Sequence, residues 1–510
     1  DNEMIKCDAD GLGTSTIEDC GNNVCAYWLE QCLPALPGDN ACMPDGRLVR
    51  VEGNGDLTLL EQCAGPGACD PERGCLIGAC RVGSTTCDGA DVLDCTDGSD
   101  TSPSGDECSS AARCSPGIGC NQPIAVAAGD SHTCAIFGGE DAADGDPGFL
   151  MCWGANESGQ LGNGSSVLGD SMEPRYVVRD DDAGLPPVAM PNATSVCAGR
   201  DFTCATVVTP DGPRVACWGS NAKGQLGIDS EEITPVNHAG QLVATADGPI
   251  AADSIACGSD FACALGPDGS TWCWGANDYG QIGNGAAGDP VLLATLIADQ
   301  AFLSIGAGAH HACGVKDGGA VFCWGQGMGG QLGSGDTEDA DAPAEVDGVT
   351  ALVGLPPTLG RDFSIIASSE TNPFAFGTNG YGQLATGDTA DSSSAVAAGE
   401  LNSDEIDNLF AGASSAHACA RIASTLVCWG ANVFGQLGDD STDSATSPVE
   451  VFDGATNPTK VRPGAHSVAV GGKHTCAINV SGDLLCWGAN HRSQLGTDQA
   501  TPVTKPTLSL

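Results

Sequence analysis

Four histidines recur at one place in a repeated pattern: His132, His311, His417 and His474, each two residues before a cysteine. Imidazoles at fixed spacing could serve as metal ligands or as acid–base groups. The other copies of the pattern carry Phe202, Phe261 and Phe363 at that position. A ring with no ligand atom fills the same place, so the residues favour packed scaffold histidines over a metal or catalytic set. His238, His310, His466 and His491 form no spaced ligand group.

The carboxylates give no clearer chemistry. With 66 Asp and Glu in 510 residues, no pair can be singled out as general acid and base. No Gly-x-Ser-x-Gly stands in a strand–turn–helix context. Asp141, Asp144 and Asp146, and the stretch Asp8-Ala-Asp-Gly, hint at calcium loops, but neither has the ligand order of an EF-hand. No catalytic, cofactor-binding or metal set is expected, and the chain reads as a non-enzyme.

Cysteine is the remaining reactive type, and its 28 copies indicate an oxidising compartment. Half of them lie before residue 121. Cys63, Cys69 and Cys75 repeat the spacing of Cys108, Cys114 and Cys120, and Cys7, Cys20, Cys25 and Cys32 nearly follow that of Cys95 and the same three. Zinc sites favour closely paired cysteines, often with histidine. This region has no histidine and mostly wider gaps, so disulfides are the better reading. Residues 1–120 are expected to hold about three small, disulfide-stapled, loop-rich units, since each is too short to bury much of a core.

The later cysteines are positioned by a longer repeat. Cys-Trp-Gly-Ala-Asn-x-x-Gly-Gln-Leu-Gly is complete at Cys428–Gly438 and recurs with variations about 50–65 residues apart. Its aromatic position is occupied by Trp153, Trp218, Trp274, Trp324, Phe376, Trp429 and Trp487. Short apolar runs between turn residues surround each copy, which is the signal of strands. Seven units of several short strands fit the blades of a β-propeller. Within each unit Gly159, Gly162 and their equivalents call for positive φ, Leu161 offers a buried anchor, and Gln160 an amide for loop backbone groups. The large aromatics are expected to fill the space between blades.

The motif, its spacing and its count resemble the regulator-of-chromosome-condensation repeat, over about residues 124–510. The resemblance implies an all-β, seven-bladed propeller, here preceded by the cysteine-rich region. The first 120 residues resemble disulfide-rich modules of large secreted bacterial proteins. Fold alone does not fix function.

Cross-strand disulfides are expected inside six blades: Cys134–Cys152, Cys204–Cys217, Cys263–Cys273, Cys313–Cys323, Cys419–Cys428 and Cys476–Cys486. The fifth blade has Ile365 and Ala375 instead, a joint loss expected of a bonded pair. Cys197 and Cys257 remain, and alternation of side chains along strands turns them to facing sides of consecutive blades, where they can bond. The N-terminal cysteines are expected to pair among themselves.

Charge narrows the partners. Nineteen Lys and Arg against 66 acids give a net charge of −47, which repels nucleic acid. No apolar run approaches the roughly 20 residues of a membrane span. Asp1 is no initiator, so the chain reads as a mature fragment with its leader removed, extracellular or at the cell surface. Two functions fit. One is an extracellular scaffold that binds protein partners or self-assembles into a surface layer or filament. The other is a secreted inhibitor or regulator that binds an enzyme through its loops, as the resemblance implies for secreted members of the family. Exchange-factor activity on a nuclear GTPase, implied by nuclear members, conflicts with the disulfide-rich composition.

Overall fold

A computed structural model describes residues 121–510 except 140–141, 143, 165–167, 180–187, 191, 229–235, 237–238, 240, 298–299, 369–371, 402–405, 453–458, 465, 500 and 510, and before residue 121 only strand backbone. The chain divides into two compact units, Asp1–Asn121 and Gln122–Leu510.

The first unit repeats a backbone pattern. The antiparallel meander Asn40–Cys42, Arg47–Val51 and Leu57–Gln62 is followed by the small hairpin Cys69–Asp70 and Gly74–Cys75. Thr85–Asp88, Asp91–Cys95 and Thr101–Glu107 repeat it, with the hairpin Cys114–Ser115 and Gly119–Cys120. Register sets Cys25 opposite Cys32, Cys69 opposite Cys75 and Cys114 opposite Cys120. The expected bonds of this region lie outside the described side chains.

The second unit is a propeller of seven antiparallel sheets. Blade 1 runs Gln122–Ala128, His132–Gly138, Phe149–Gly154 and Ser171–Tyr176 in sequential order from the centre outward. Its first strand begins at Gln122, ahead of the expected Ile124, because Gln122 and Pro123 pair with Gly138 and Phe137 across a bulge. The inner strands of the remaining blades are Ala193–Ala198, Ser254–Cys257, Ser304–Ala307, Thr358–Leu359, Ile406–Phe410 and Val468–Val470. Each touches the inner strand of the next blade. Blade 2 has three strands, its outer edge met by isolated bridges from Val236 and Leu242. Among the described residues the only helical turn is Asp317–Gly319, and no helix is long and apolar enough to cross a membrane.

Register explains the cysteines. In six blades the second and third strands set the two cysteines directly opposite, as in Cys134↔Cys152 and Cys419↔Cys428. All six pairs are bonded, with Cα separations of 4.0–4.1 Å. Such closeness belongs to antiparallel positions not joined by backbone hydrogen bonds. Cys197 and Cys257, on the inner strands of blades 2 and 3, are bonded at a Cα separation of 5.6 Å. In blade 5 the opposed pair is Ile365↔Ala375, both fully buried. Converting both to cysteine should form a seventh intra-blade bond. Closing so short a loop contributes about 2–3 kcal/mol, from which lost Ile365 packing removes about 1. Thiol titration should find no new free thiol, and the melting point should rise; two free thiols would contradict the register.

Blade interfaces are filled by the motif aromatic. Trp218 packs with Leu161 and Val177 of the preceding blade, Trp274 with Leu226 and Val243, and Phe376 with Leu332 and Val346. Gly162 shows why the motif ends in glycine: its φ is 62°, and a Cβ there would stand 2.6 Å from the Trp218 ring nitrogen. Ala385, at the same place in blade 5, keeps the left-handed conformation with φ 52°.

The ring closes without strand exchange, since blade 7 takes all four strands from 468–508. Val126 N–H donates to His466 O and Gly472 N–H to Gly129 O. Arg492 reaches Asp170 at 2.8 Å and Glu157 at 3.1 Å.

Candidate interaction face

Every blade presents two turns at one end of the ring: the turn between its first and second strands, near the channel, and the Asn-x-x-Gly-Gln turn between its third strand and the outer edge. Antiparallel order places both at the same face.

The outer turn is built alike in every blade. The glutamine side-chain oxygen accepts the N–H of the second x residue: Ser158 donates to Gln160, Lys223 to Gln225, Tyr279 to Gln281, Gly329 to Gln331, Tyr381 to Gln383, Phe434 to Gln436 and Arg492 to Gln494, at 2.7–2.9 Å. In six blades the Asn oxygen accepts the N–H of the residue before the final motif position, as Asn432 does from Leu437 at 2.9 Å. Blade 4 has Gly327 there, and Gln326 receives the Gln331 amide instead. The glutamine carbonyl accepts the indole N–H of the next blade: Trp218 to Gln160, Trp274 to Gln225, Trp324 to Gln281, Trp429 to Gln383, Trp487 to Gln436 and, closing the ring, Trp153 to Gln494. One residue thus fixes its own turn and latches the neighbouring blade.

The two x residues are therefore held on a rigid frame while their side chains vary. Blades 3 to 6 display Asp278-Tyr279, Met328-Gly329, Gly380-Tyr381 and Val433-Phe434, with Asp278 paired to Lys223 of blade 2; Met328, Tyr381 and Val433 are 73%, 47% and 61% exposed. Blades 7, 1 and 2 display His491-Arg492, Glu157-Ser158 and Ala222-Lys223. The face has an apolar half and a charged half. The mouth of the channel adjoins both. Arg200 bridges to Asp260 of the next blade at 2.7 Å, Tyr279 packs on His310 with centroids 5.3 Å apart, and Lys473 lies 5.3 Å over the Phe434 ring. Burial, reinforced by Asp130, Asp260 and Glu157 against the pull of Arg200, raises the Asp201 carboxyl above its ordinary value.

The four recurrent histidines lie beneath this face, fully buried, and each joins its blade to the next. Nε2 of His132 is 2.9 Å from Thr203 Oγ1, His311 2.9 Å from Ser364 Oγ, His417 2.8 Å from Thr475 Oγ1 and His474 2.9 Å from Thr133 Oγ1. Each hydroxyl donates its one proton to a glutamine carbonyl, Gln160, Gln331, Gln436 or Gln494. The imidazole must then be the donor at Nε2, which leaves Nδ1 bare, and Nδ1 of all four has no partner. Burial lowers the pKa to about 4 at His132 and about 3 at His311, His417 and His474. Neutral, buried and spread around the ring, they form neither a metal centre nor an acid–base pair. Among the described residues no three His, Cys, Asp or Glu converge as metal ligands. Asp141 and the Asp8 stretch lie outside the described residues, and Asp144 accepts from His466 Nδ1 at 2.8 Å.

Where the ring is Phe202, Phe261 or Phe363, the next blade carries Ala262, Ala312 or Ala418 in place of the hydroxyl. His pairs with Thr or Ser, and Phe with Ala, at all seven interfaces. Thr203→Ala alone should cost about 1–3 kcal/mol by stranding the His132 N–H. Adding His132→Phe should recover most of that loss. A double-mutant cycle by urea denaturation measures the coupling, and simple additivity would refute the pairing.

The expected scaffold aromatics thus sit at blade interfaces, and the expected propeller cysteines are joined in pairs. The x residues do not stand out in the sequence, because the motif treats them as wild cards. Their signal is variation confined to two places inside an otherwise constant frame.

Residues 148–206, 268–315, 318–354 and 426–478 match the family described as regulator of chromosome condensation (RCC1) repeat, and 252–281, 302–331 and 465–494 match a second description of that repeat. The ultraviolet-B receptor UVR8 of Arabidopsis thaliana is 28% identical over 390 residues, covering 76% of this chain and 81% of the receptor. The human E3 ubiquitin-protein ligase HERC2 is 26% identical over 366 residues, covering 70% of this chain and 6% of the ligase. Among solved structures, yeast RCC1 (Prp20) bound to Kap60 superposes with a TM-score of 0.55 at 18% identity, covering 72% of this chain and 83% of that one. Human WBSCR16 gives 0.55 at 20%, covering 70% and 87%. At these identities the superpositions speak for the fold.

Proposed function

Because residues 122–510 form a seven-bladed propeller of regulator of chromosome condensation (RCC1) repeats, we propose that the chain is a non-enzymatic, extracellular protein-interaction scaffold that binds its partner through the apolar half of one propeller face. The observation that carries this reading is the arc Tyr279, Met328, Tyr381, Val433 and Phe434 on turns pinned by glutamine, with Met328, Tyr381 and Val433 exposed and Tyr279 and Phe434 half-buried. Aromatic and methionine side chains on rigid supports lose little entropy on binding and dominate interface energetics. Bonded cysteines in six blades, and a further inter-blade bond, support an oxidising compartment. The net charge of −47 argues against nucleic acid. Yeast RCC1 (Prp20), whose structure shares this fold, was solved bound to the protein Kap60. On this reading the cysteine-rich units serve as a stalk or assembly module, which an inhibitor would not require.

A photo-crosslinking residue at Met328 or Val433 should trap a discrete partner on the native cell surface or in its medium. The same residue at Leu296, exposed at the far end of its outer strand, should not. Equal trapping at all three sites would remove the apolar arc from the function.

A further inference from the structure

Between blades 5 and 6 the interaction face opens into a cleft of about 230 Å³ lined by Arg361, Asp362, Thr378, Tyr381, Asp391 and Ser415. It forms where the repeat departs from its own pattern. In the other blades the glycine of the channel-mouth turn stands three residues before the aromatic, as in Gly471 and His474, but Gly412 stands five before His417. The extra length is closed by Ser415, whose hydroxyl receives Gly412 N–H and donates to His417 O. Elsewhere that glycine N–H bonds directly to the aromatic residue's carbonyl, as Gly471 does to His474. On the opposite wall Gly380 presents no side chain, leaving the Tyr381 ring open.

The lining suits one kind of occupant. Its single cation, Arg361, is engaged by Asp362, with Nε 3.0 Å from Oδ2. Asp391 Oδ1 accepts Asn379 N–H at 2.6 Å and brings a second carboxylate. The Thr378 hydroxyl is already committed to Asp362 O and to the Gln383 amide. An exposed aromatic ring, two carboxylates and one neutralised guanidinium leave a net negative cleft with a π-face, on a chain of net charge −47. Planar cations satisfy both features, by charge-assisted hydrogen bonds to carboxylate and by stacking on tyrosine.

We propose that this cleft is an anchor site for an arginine side chain of a basic protein partner. The proposal rests on the reading of this face as a protein-docking surface and names the chemistry of what docks.

The test uses the full oxidised chain and a fluorescein-labelled Gly-Arg-Gly-Arg peptide, with its citrulline counterpart as neutral isostere, by fluorescence anisotropy at physiological salt. The arginine peptide should bind more tightly than the citrulline peptide. Tyr381→Leu, which keeps apolar bulk without the π-face, should weaken it at least about threefold. Asp391→Asn, which keeps an oxygen for Asn379 N–H, should weaken it by a similar factor. Asp347→Asn, an exposed acid on the outer strand of blade 4, should leave it unchanged. Equal affinity for arginine and citrulline peptides would overturn the proposal. So would an Asp347→Asn loss matching that of Asp391→Asn, since binding would then follow the overall acidic field. Either failure leaves partner crosslinking at Met328 and Val433 intact, so the two readings are separable.

Discussion

Acidification from pH 6.5 to about 4 should remove roughly 5 kcal/mol of propeller stability per pH unit, through four buried histidines. His132, His311, His417 and His474 have folded pKa values of about 4, 3, 3 and 3, below the ordinary 6.5 of the unfolded chain. A depressed pKa contributes stability that is complete above 6.5 and declines as pH falls toward the folded value. In that window the unfolded state binds a proton at each site and the folded state does not. Each site therefore contributes a slope of about 1.4 kcal/mol per pH unit. The acidic surface acts with the opposite sign, because protonating crowded carboxylates relieves repulsion, but chiefly near and below pH 4. Urea midpoints at stepped pH should show uptake of about four protons on unfolding near pH 5. In the His132→Phe/Thr203→Ala variant the slope should fall by about a quarter. An unchanged slope in that variant would mean that the imidazoles are not the proton acceptors.

The pairing behind this prediction was written in the sequence but not along a single repeat. Read one blade at a time, His132 and Phe202 are interchangeable aromatics, which points to a packed ring at that position. Read with each blade set against the next, His132 faces Thr203 while Phe202 faces Ala262, and the choice of ring follows the neighbour. Strand order, the cysteine pairs and the interblade Trp positions were legible because the period-two pattern and the motif determine them within one blade. The Gln160 carbonyl latch on Trp218 was not, since a backbone group shared between repeats leaves no trace in residue identity. The cleft at Tyr381 was hidden for another reason. It depends on a two-residue lengthening at Gly412–His417, which looks like ordinary loop variation until the opposing blade is in place.

Trp153→Ala should be among the most damaging single substitutions in the propeller, at about 4–6 kcal/mol. Its indole is fully buried at the seam between blades 7 and 1, with Leu495 and Val503 in the same core, and its N–H donates to Gln494 O at 3.1 Å. Truncation leaves a cavity the surrounding sheets cannot collapse into, which accounts for about 3–5 kcal/mol, and strips one donor from a buried carbonyl. That carbonyl keeps the Thr133 hydroxyl at 2.8 Å, so the second cost lies at the low end. Trp153→Phe should cost only about 1–2 kcal/mol, because blade 5 works with Phe376 in the same role, its Gln331 carbonyl served by Ser364. The seam adds a kinetic effect. Blades 7 and 1 share no strand, and His466 O to Val126 N–H, Gln494 O to Trp153 and Arg492 to Asp170 are among the contacts that hold the ring shut. Trp153→Ala should therefore raise hydrogen exchange first in Gln122–Ala128 and Val468–Val470, ahead of global unfolding. Trp324→Ala, at an interface within the chain's run, should lose comparable stability without that local signature. If the two variants exchange alike, closure at the seam is no weaker than at any other interface, and the ring opens nowhere in particular.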